Sequence, residues 1–295
     1  MKILLTGKDG QIGYDLHNTL LPFGEVIATS RNDLDLTNSN VIRQFIEQIK
    51  PDMIINPAAY TNVDRAESEI QLAYQVNAEA PKVLAEMAAE LNIPLIHFST
   101  DYVFDGLKKE PYIETDKTNP LSVYAKTKCA GEKAISKYEK HIILRTSWVF
   151  SSRGHNFLKT VLRLIQERES LSIVSDQKGS PTSSLMLANI TCKIVKKIFD
   201  DNSFKDFGIY HVASEGYTDW HKYANFINEE AIRLGLKSKI KSFDIHAVSS
   251  REYPSIAIRP NNSMLNTDKI KVIFNQKLPF WQDEVKKTLK EIANT

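Results

Sequence analysis

The chain has 295 residues, of which 25% are charged, and its formal net charge is only +2. No large basic field is therefore available to attract nucleic acid, and the expected partner is a small molecule. The length provides enough core for one large α/β domain or for two coupled ones. No apolar run reaches the ~18–20 residues that span a bilayer, and residues 1–7 form a strand-like run instead of a secretory leader. The sequence therefore predicts no contact with a membrane.

The cysteines and histidines give no sign of a cross-link or a metal site. Cys129 and Cys192 lie far apart, and neither belongs to a C-x-x-C pair, which argues against a disulfide framework and against structural zinc. The histidines show no metal-ligand spacing, and His97 and His211, in predicted strands, are interpreted as structural. We expect a reducing cytoplasm as the location and predict no metal ligands.

Short apolar runs bounded by turn residues alternate with longer amphipathic stretches through the first half of the chain. This alternation favours right-handed crossovers and a parallel sheet, which is an α/β, Rossmann-like doubly wound fold. The predicted strands are 3–6, 26–29, 53–55, 95–98 and 142–144, and the predicted helices lie near 11–22, 38–49, 69–91 and 121–138.

After residue 150 the alternation is less regular, and we interpret this part as a smaller, mixed α/β substrate-binding region beside the sheet. The predicted elements are helices at 156–168, 185–199 and 219–234, strands at 171–175 and 208–213, and polar segments at 176–184 and 247–267. The predicted organisation is an NAD(P)-binding Rossmann domain at 1–150, with core elements returning at about 183–213, and a substrate-binding region mainly at 151–182 and 214–295.

The first predicted strand runs into a G-x-x-G-x-x-G turn at residues 7–13, and this turn opens a helix. Glycines permit a tight turn, and they let backbone N–H groups approach a pyrophosphate at the helix N-terminus. The alternative is a glycine-rich turn that binds no ligand. Its position at the first strand–helix junction of a wound α/β chain favours a dinucleotide site.

The end of the second predicted strand bears on the choice of cofactor. An Asp or Glu there would hold the adenosine ribose hydroxyls and repel a 2′-phosphate. Ser30 and Arg31 stand at this place, which favours NADPH. The alternative is that Arg31 is an ordinary surface arginine and that Asp33 or Asp35 does the work of the carboxylate, so NADH stays open.

Tyr124 and Lys128 form a Tyr-x-x-x-Lys pair in a predicted helix. Helical positions four residues apart share a face, so the Lys128 ammonium can lower the pKa of the Tyr124 phenol toward that of a useful proton donor. With a hydroxyl at Thr100 nearby, the three groups predict a carbonyl-reduction site. Such a spacing also arises by chance on a solvated helix face, and the glycine turn is what favours catalysis.

Small residues follow the third predicted strand, at 56–61. They would let the backbone pass close to a cofactor, although Ala58 and Ala59 could equally be core packing. Asn77 lies in a helical stretch, where it is either a solvated side chain or a group that braces Lys128 through water.

These motifs resemble those of the extended short-chain dehydrogenases/reductases and, within them, of the dTDP-4-dehydrorhamnose reductases, which reduce the 4-keto group of a dTDP-bound 6-deoxyhexose. The run Ser-Thr-Asp-Tyr-Val-Phe at residues 99–104 is the most specific part of the resemblance. The matching segments are 7–13, 58–64, 99–106, 124–128, 145–150, 177–182 and 259–263.

The resemblance implies a role for each of these residues. Tyr124 would be the proton donor, Lys128 its pKa-lowering and ribose-binding partner, and Thr100 the hydroxyl that orients the keto oxygen. The implied substrate-binding residues are Thr100, Asp101, Trp148 and Arg259, the last through a substrate phosphate. From the residues alone, Trp148 could cap the core and Arg259 could be a surface charge. The predicted cofactor-binding residues are Gly7, Gly10, Gln11, Ile12, Gly13, Ser30, Arg31, Asp35, Leu36, Ala58, Ala59, Tyr60, Thr61, Asn77, Tyr124 and Lys128.

The implied activity is the NADPH-dependent reduction of dTDP-4-dehydro-β-L-rhamnose to dTDP-L-rhamnose, a step that feeds cell-surface polysaccharide. One alternative is a reductase of another NDP-4-keto-6-deoxysugar. Another is a non-catalytic regulatory subunit related to that of methionine adenosyltransferase, which the intact Tyr124, Lys128 and Thr100 disfavour. Some family members bind Mg²⁺ through C-terminal glutamates at a dimer interface, and we match no residue to these, so Mg²⁺ and the choice between monomer and homodimer stay open.

Overall fold

The structure of the chain is a computed structural model, which describes residues 1–201, 203–241, 244–253 and 255–294. Its strands are β1 (Lys2–Leu5), β2 (Glu25–Ala28), β3 (Met53–Asn56), β4 (Leu95–Thr100), β5 (His141–Thr146), β6 (Val149–Phe150), β7 (Leu171–Val174), β8 (Lys178–Gly179), β9 (Thr182–Ser183), β10 (Gly208–His211), β11 (Thr218–Asp219) and β12 (Ile245–Val248). Its α-helices are α1 (Gln11–Leu20), α2 (Ser39–Ile49), α3 (Val63–Ala66), α4 (Ile70–Tyr74), α5 (Ala80–Leu91), α6 (Val123–Ile135), α7 (Phe157–Glu167), α8 (Ser184–Asp200), α9 (Trp220–Arg233), α10 (Asp268–Ile273) and α11 (Trp281–Ala293).

Six of these strands form a parallel sheet in the order β10-β5-β4-β3-β1-β2. The chain proceeds from β1 to β2 on one side and then crosses back to β3 on the other. The strand order therefore reverses next to β1, and in open α/β sheets a crevice forms at the carboxyl ends of the strands at such a point. The predicted α/β, Rossmann-like doubly wound fold is confirmed.

Helices cover both faces of this sheet, because successive side chains of each strand point to opposite sides. Leu5 and Ile55 pack in a core with side chains of α1 and α8. Leu4 and Ile54 pack on the other face with side chains of α2 and α5. No helix among the described residues is long and apolar enough to cross a membrane.

The stretch predicted as one helix at 69–91 is interrupted. It contains α4, a wider π-helical turn at Gln75–Glu79, and α5. Pro81 has no N–H to donate to the backbone carbonyl four residues earlier, on Asn77, so a regular α-helix cannot continue through this point. The π turn leaves Asn77 fully buried against α6, where a Cβ on Gly131 would lie 2.2 Å from the Asn77 carbonyl oxygen.

The later part of the chain builds a second core. Side chains of α7, α9 and α11 pack together there with Phe150 and Leu171. The short strands pair outside the main sheet, β6 with β9, β8 with β11, and β7 with β12. Between these elements the chain returns to the first region, since α8 packs with α1 and β10 pairs with β5.

Candidate active site

A cleft of about 1070 Å³ lies along the carboxyl ends of β1, β3 and β4. It is lined from both regions of the molecule, and most of the predicted site residues meet there. Those that line it are Gly7, Gly10, Gln11, Ile12, Gly13, Ser30, Arg31, Asp35, Leu36, Ala58, Ala59, Tyr60, Thr61, Thr100, Asp101, Tyr124, Lys128 and Trp148. Asn77 and Arg259 are the predicted site residues that do not line it.

The glycine turn forms one end of the cleft. Gly7 has a φ of +63°, in the left-handed region, and a Cβ there would lie 2.9 Å from the Cβ of Ala58. A Cβ on Gly13 would lie 2.0 Å from the Gly7 carbonyl oxygen, so the first turn of α1 packs directly on the loop. No side chain caps the N-terminus of α1 at Gly10. Its free N–H groups and the helix dipole suit an anion such as a pyrophosphate, so these residues fit a dinucleotide.

The carboxylates near the end of β2 are already engaged. Asp33 Oδ2 accepts hydrogen bonds from Lys8 Nζ at 2.7 Å and from the Ser30 backbone N–H at 2.8 Å. The Lys8 hydrogen bond contributes most to holding the Asp33 pKa far below its ordinary value. Asp35 accepts from the backbone N–H and the hydroxyl of Thr37. Arg31 lines the cleft, whereas Asp33 does not.

Tyr124 and Lys128 lie on the first turns of α6, whose N-cap Ser122 accepts a hydrogen bond from the Ala125 N–H. Lys128 is 2% exposed, and its Nζ donates to the Phe98 carbonyl at 2.6 Å and lies 3.3 Å from His97 Nε2. Burial lowers the pKa of Lys128 to about 8, against the opposing effect of Glu132.

Burial has the opposite effect on the phenol. It raises the pKa of Tyr124 to about 12, while the Thr100 hydroxyl acts to lower it. The pKa of Tyr124 therefore lies above its ordinary value in the protein alone, because desolvation of the phenolate dominates, and the lowering contribution of Lys128 stays a prediction. A buried phenol that keeps its proton is still suited to donate it to a stronger base.

Thr100 is the last residue of β4, and Asp101 directly follows it. The Thr100 hydroxyl donates to Asp101 Oδ1 at 2.9 Å and accepts from the Tyr102 N–H at 3.2 Å. Burial raises the pKa of Asp101 to about 7, although hydrogen bonds from Thr100 and Ser263 oppose the rise. Near neutral pH this carboxyl can thus be a donor or an acceptor toward a polar ligand.

The cleft also contains buried polar atoms that lack a protein partner. Ser99 Oγ and Thr146 Oγ1 have no hydrogen bond within the described part of the chain, and both residues line the cleft. Buried polar atoms in native proteins are almost always paired, so unpaired ones in a cleft indicate where a ligand's polar groups bind.

Trp148 belongs to both the cleft and the second core. Its φ of +48° is left-handed, and its ring stacks on Trp220 with centroids 3.6 Å apart. A Cβ on Gly179 would lie 2.5 Å from the Trp148 ring, so only glycine fits beside it. Trp220 Nε1 donates to Gln177 Oε1 at 3.2 Å. Sequence reasoning missed Trp220, because it begins α9 in the second region and no local pattern connects it to the cleft.

Gln11 connects the glycine turn to the loop that follows β6. Its Oε1 accepts from Asn156 Nδ2 at 2.8 Å and from the Ser151 hydroxyl at 3.2 Å. Gly154 and His155 of this loop line the cleft and were also missed by the sequence analysis. The contact spans 140 or more positions of the sequence, so only the folded chain reveals it.

Arg259 has a carboxylate partner and does not reach into the cleft as an open guanidinium. Its Nη2 donates to Asp64 Oδ2 at 2.7 Å, and Asp64 Oδ1 accepts from the Ala257 N–H at 3.0 Å. Although burial acts to raise the pKa of Asp64, the hydrogen bonds from Arg259 and Ala257 hold it below its ordinary value. Arg259 also interacts with Tyr102, which lines the cleft, and its predicted phosphate contact stays a prediction.

Asn77 braces a loop and a helix. Its side chain accepts from the Tyr60 N–H at 2.8 Å, donates to the Tyr60 carbonyl at 3.0 Å, and donates to Thr127 Oγ1 at 3.1 Å. These hydrogen bonds fix the end of the β3 loop against α6. The side chain next to Lys128 is instead that of His97, which the sequence analysis treated as structural.

No cluster of three or more His, Cys, Asp or Glu side chains among the described residues could hold a metal ion. The Cys129 and Cys192 thiols are free.

Comparison with known proteins places this site in a family. The family model described as the RmlD substrate binding domain matches residues 1–294. A curated dTDP-4-dehydrorhamnose reductase from Shigella flexneri is 43% identical over 100% of this chain and 99% of the relative.

Solved structures agree with the curated relatives. A dTDP-4-dehydrorhamnose reductase from Clostridium acetobutylicum has a TM-score of 0.89 and 35% identity, and the match covers 99% of both chains. Another from Bacillus anthracis, solved in complex with NADP, has a TM-score of 0.88 and 32% identity over 98% of this chain and 99% of that one. The chain belongs to the RmlD substrate binding domain family.

Proposed function

We propose that this chain is a dTDP-4-dehydrorhamnose reductase that uses NADPH to reduce the 4-keto group of dTDP-4-dehydro-β-L-rhamnose to the alcohol of dTDP-L-rhamnose. The observation that carries the proposal is the meeting of Tyr124, Lys128 and Thr100 in the cleft that begins at the glycine turn. The full-length relatives of the same name support it.

Three side chains act on the ketone, each in a different role. Bound along the cleft, NADPH supplies the hydride. The Tyr124 phenol keeps its proton at neutral pH and gives it to the carbonyl oxygen as that oxygen gains charge. Lys128 stabilises the phenolate left behind, and the Thr100 hydroxyl turns from Asp101 to hold the developing alkoxide. Positioned acid catalysis of this kind is worth ~10²–10⁴-fold.

The region after β5 supplies the other wall of the cleft, and we assign it to the substrate. Residues 151–182 and 214–295 are the proposed substrate-binding region, beside the NAD(P)-binding domain. The stacked rings of Trp148 and Trp220 offer an apolar surface for a sugar or a base, and Asp101 offers a carboxyl for a sugar hydroxyl. We also assign Arg259, whose guanidinium pairs with Asp64, to a phosphate of the substrate.

The proposed preference for NADPH rests on Arg31. Of the two competing carboxylates, Asp33 is engaged by Lys8 and Ser30 and does not line the cleft. Asp35 lines the cleft together with Arg31, but its Oδ1 accepts from the N–H and the hydroxyl of Thr37. We expect Arg31→Ala to raise KM for NADPH while KM for NADH changes little. An unchanged ratio of the two KM values would contradict the assignment.

The experiment that tests the function identifies the product. The protein is incubated with dTDP-4-keto-6-deoxyglucose, a 3,5-epimerase and NADPH, and the configuration at C4 is determined by NMR. We expect stoichiometric NADPH oxidation and dTDP-L-rhamnose. The opposite C4 epimer would indicate a sister reductase, and no NADPH consumption would indicate a regulatory subunit.

A further inference from the structure

A row of buried polar side chains crosses the parallel sheet beneath Lys128. Thr6 directly follows β1, and Asn56 and His97 are register partners in β3 and β4. The Thr6 hydroxyl lies 2.5 Å from Asn56 Oδ1, and Asn56 Nδ2 lies 3.0 Å from His97 Nδ1. His97 Nε2 lies 3.3 Å from Lys128 Nζ. The row thus joins the strand of the glycine turn to the lysine of the catalytic pair.

Every member of this row is shielded from water. Thr6 and Asn56 are each 1% exposed, His97 is 0% exposed and Lys128 is 2% exposed. Burial, and then the charge of Lys128, hold the pKa of His97 well below its ordinary value, so the imidazole is neutral. A neutral imidazole has one acceptor nitrogen and one donor nitrogen, and the nitrogen that faces an ammonium must accept.

The contact between Lys128 and the His97 ring decides which ring nitrogen carries the proton. Since Nε2 accepts from Lys128, Nδ1 carries the hydrogen and needs an acceptor. The Asn56 amide meets this need when its two ends are exchanged relative to the contacts given above, so that its oxygen accepts from Nδ1–H and its N–H₂ group donates to the Thr6 hydroxyl. The oxygen and nitrogen of a side-chain amide are assigned from such partners. Asn56 thereby sets the tautomer of His97.

The hydrogen bonds of Lys128 then fix its direction. An ammonium has three donors and no acceptor. The Phe98 carbonyl takes one donor at 2.6 Å and His97 Nε2 takes another, both on the sheet side. The third donor is left for the cleft, where Tyr124 lies one helical turn away on the same face. Asn77 cannot replace His97, because its side chain is engaged with Tyr60 and Thr127.

The charged and titratable groups around Lys128 do not supply this orientation. Glu132, on the same helix, acts to raise the Lys128 pKa, but its carboxylate is held by Arg145 of β5. Within the described chain, neither Asp101, after β4, nor Tyr124 accepts a hydrogen bond from Lys128. Among the described residues, His97 is the side chain with a ring nitrogen within hydrogen-bond distance of Nζ.

We propose that His97 is a positioning residue, which orients the Lys128 ammonium toward Tyr124 and the cofactor side of the cleft. The proposal rests on the proposed function only in taking Lys128 as the partner of Tyr124. His97 itself touches neither substrate nor cofactor, because it is fully buried and does not line the cleft.

The test compares His97→Leu with His97→Gln and with a matched control, His211→Leu. His211 is also fully buried in the parallel sheet, and burial lowers its pKa to about 3. Its ring Nδ1 lies 3.1 Å from the Tyr112 carbonyl oxygen instead of next to Lys128. Leucine removes the acceptor, whereas the Gln carboxamide can still accept from Nζ. Both Leu variants should lose similar thermal stability.

Because leucine removes a hydrogen bond to a charged group, we expect His97→Leu to lower kcat about 10–100-fold. His97→Gln should recover most of that loss, and His211→Leu should keep kcat near the wild-type value. Equal kcat in the two Leu variants, or a Gln variant no better than His97→Leu, would overturn the proposal.

A second measurement does not depend on activity. The titration of the Lys128 amine is followed by NMR in the ligand-free, ¹⁵N-lysine-labelled protein, with the signal assigned by its loss in Lys128→Met. Because the acceptor favours the ammonium form, the midpoint should fall in His97→Leu by about one pH unit and stay in place in His211→Leu. An unmoved midpoint in His97→Leu would contradict the proposal. A wild-type protein that shows this titration but never oxidises NADPH would contradict the proposed function and leave the role of His97 intact.

Discussion

The two halves of α6 carry buried polar groups that differ in how completely they are paired. In the second half, Glu132 accepts from Arg145 Nε at 2.9 Å and from Arg145 Nη2 at 2.7 Å, and both side chains are less than 5% exposed. In the first half, Lys128 has its two neighbouring protein acceptors on the sheet side. Tyr124 faces a cleft in which the hydroxyls of Ser99 and Thr146 have no partner among the residues that the structure describes.

This difference separates a structural task from a chemical one on the same helix. The bidentate pair of Glu132 and Arg145 joins α6 to β5, and the Arg145 guanidinium also lies over the Phe104 ring at 5.2 Å. Such a pair leaves nothing for a ligand to satisfy. The first half of α6 presents donors and acceptors that a ligand can bind, and the second half, fixed by the ion pair, holds them in place.

The largest expected effect comes from breaking the buried ion pair of Glu132 and Arg145. Arg145→Leu leaves the Glu132 carboxylate buried without its cation, which costs ~3–5 kcal/mol of unfolding free energy. Urea unfolding measures the loss. The double variant Arg145→Leu with Glu132→Leu should lose much less, because no buried charge is left unpaired. A single variant that loses under ~1 kcal/mol would show that the pair does not hold the helix.

A pH-dependent effect is expected from Asp101, which follows β4 and lines the cleft that Tyr124 faces. Its pKa is raised by burial from 3.8 to about 7, so the folded state binds its proton more tightly than the unfolded state does. The resulting stability is fully present below pH 3.8 and is lost as the pH rises through 7, by up to about 4 kcal/mol. Asp101→Asn removes this dependence.

The check for Asp101 is a series of thermal unfolding curves between pH 4 and 8. The melting temperature of Asp101→Asn should gain on that of the wild type as the pH rises. If the melting temperatures of the two proteins ran parallel across the series, the Asp101 carboxyl would be ionised throughout, and the cleft around it would be more hydrated than the structure indicates.

The smallest effect is expected from an exposed pair of the same type as the buried one. Arg163 and Glu167, four positions apart on α7, are 2.7 Å apart, and both side chains are more than half exposed. Arg163→Ala should cost only ~0.3–0.5 kcal/mol, and the cost should shrink in high salt. A loss as large as that of Arg145→Leu would show that burial is not what makes the Glu132 pair important.

The sequence predicted those parts of the site that depend on local patterns. The alternation of strands and helices located the sheet, and the spacing of glycines located the turn at residues 7–13. Tyr124 and Lys128 could be paired because four positions along a helix are a local relation. Pro81 was the available signal for the break in the helix predicted at 69–91, and the periodicity of its apolar residues masked it.

The missing parts depend on contacts between distant segments. Trp220 reaches Trp148 only after the second region has folded, and Arg259 meets Asp64 across 195 positions. The role of His97 required knowing that strands β3 and β4 are neighbours in register. The raised pKa of Tyr124 depends on burial, which the spacing of Tyr124 and Lys128 in the sequence does not give.

The most direct test of the central claim is the turnover of Tyr124→Phe with dTDP-4-dehydro-β-L-rhamnose, followed by NADPH absorbance, together with the dissociation constant of NADPH. The substitution removes one hydroxyl and keeps the ring that packs edge-on to Tyr102. We predict a kcat ~10²–10⁴-fold lower, with NADPH binding close to that of the wild type. Near-wild-type turnover in this variant would contradict the assignment of the first half of α6, with Tyr124 and Lys128, to the catalytic site.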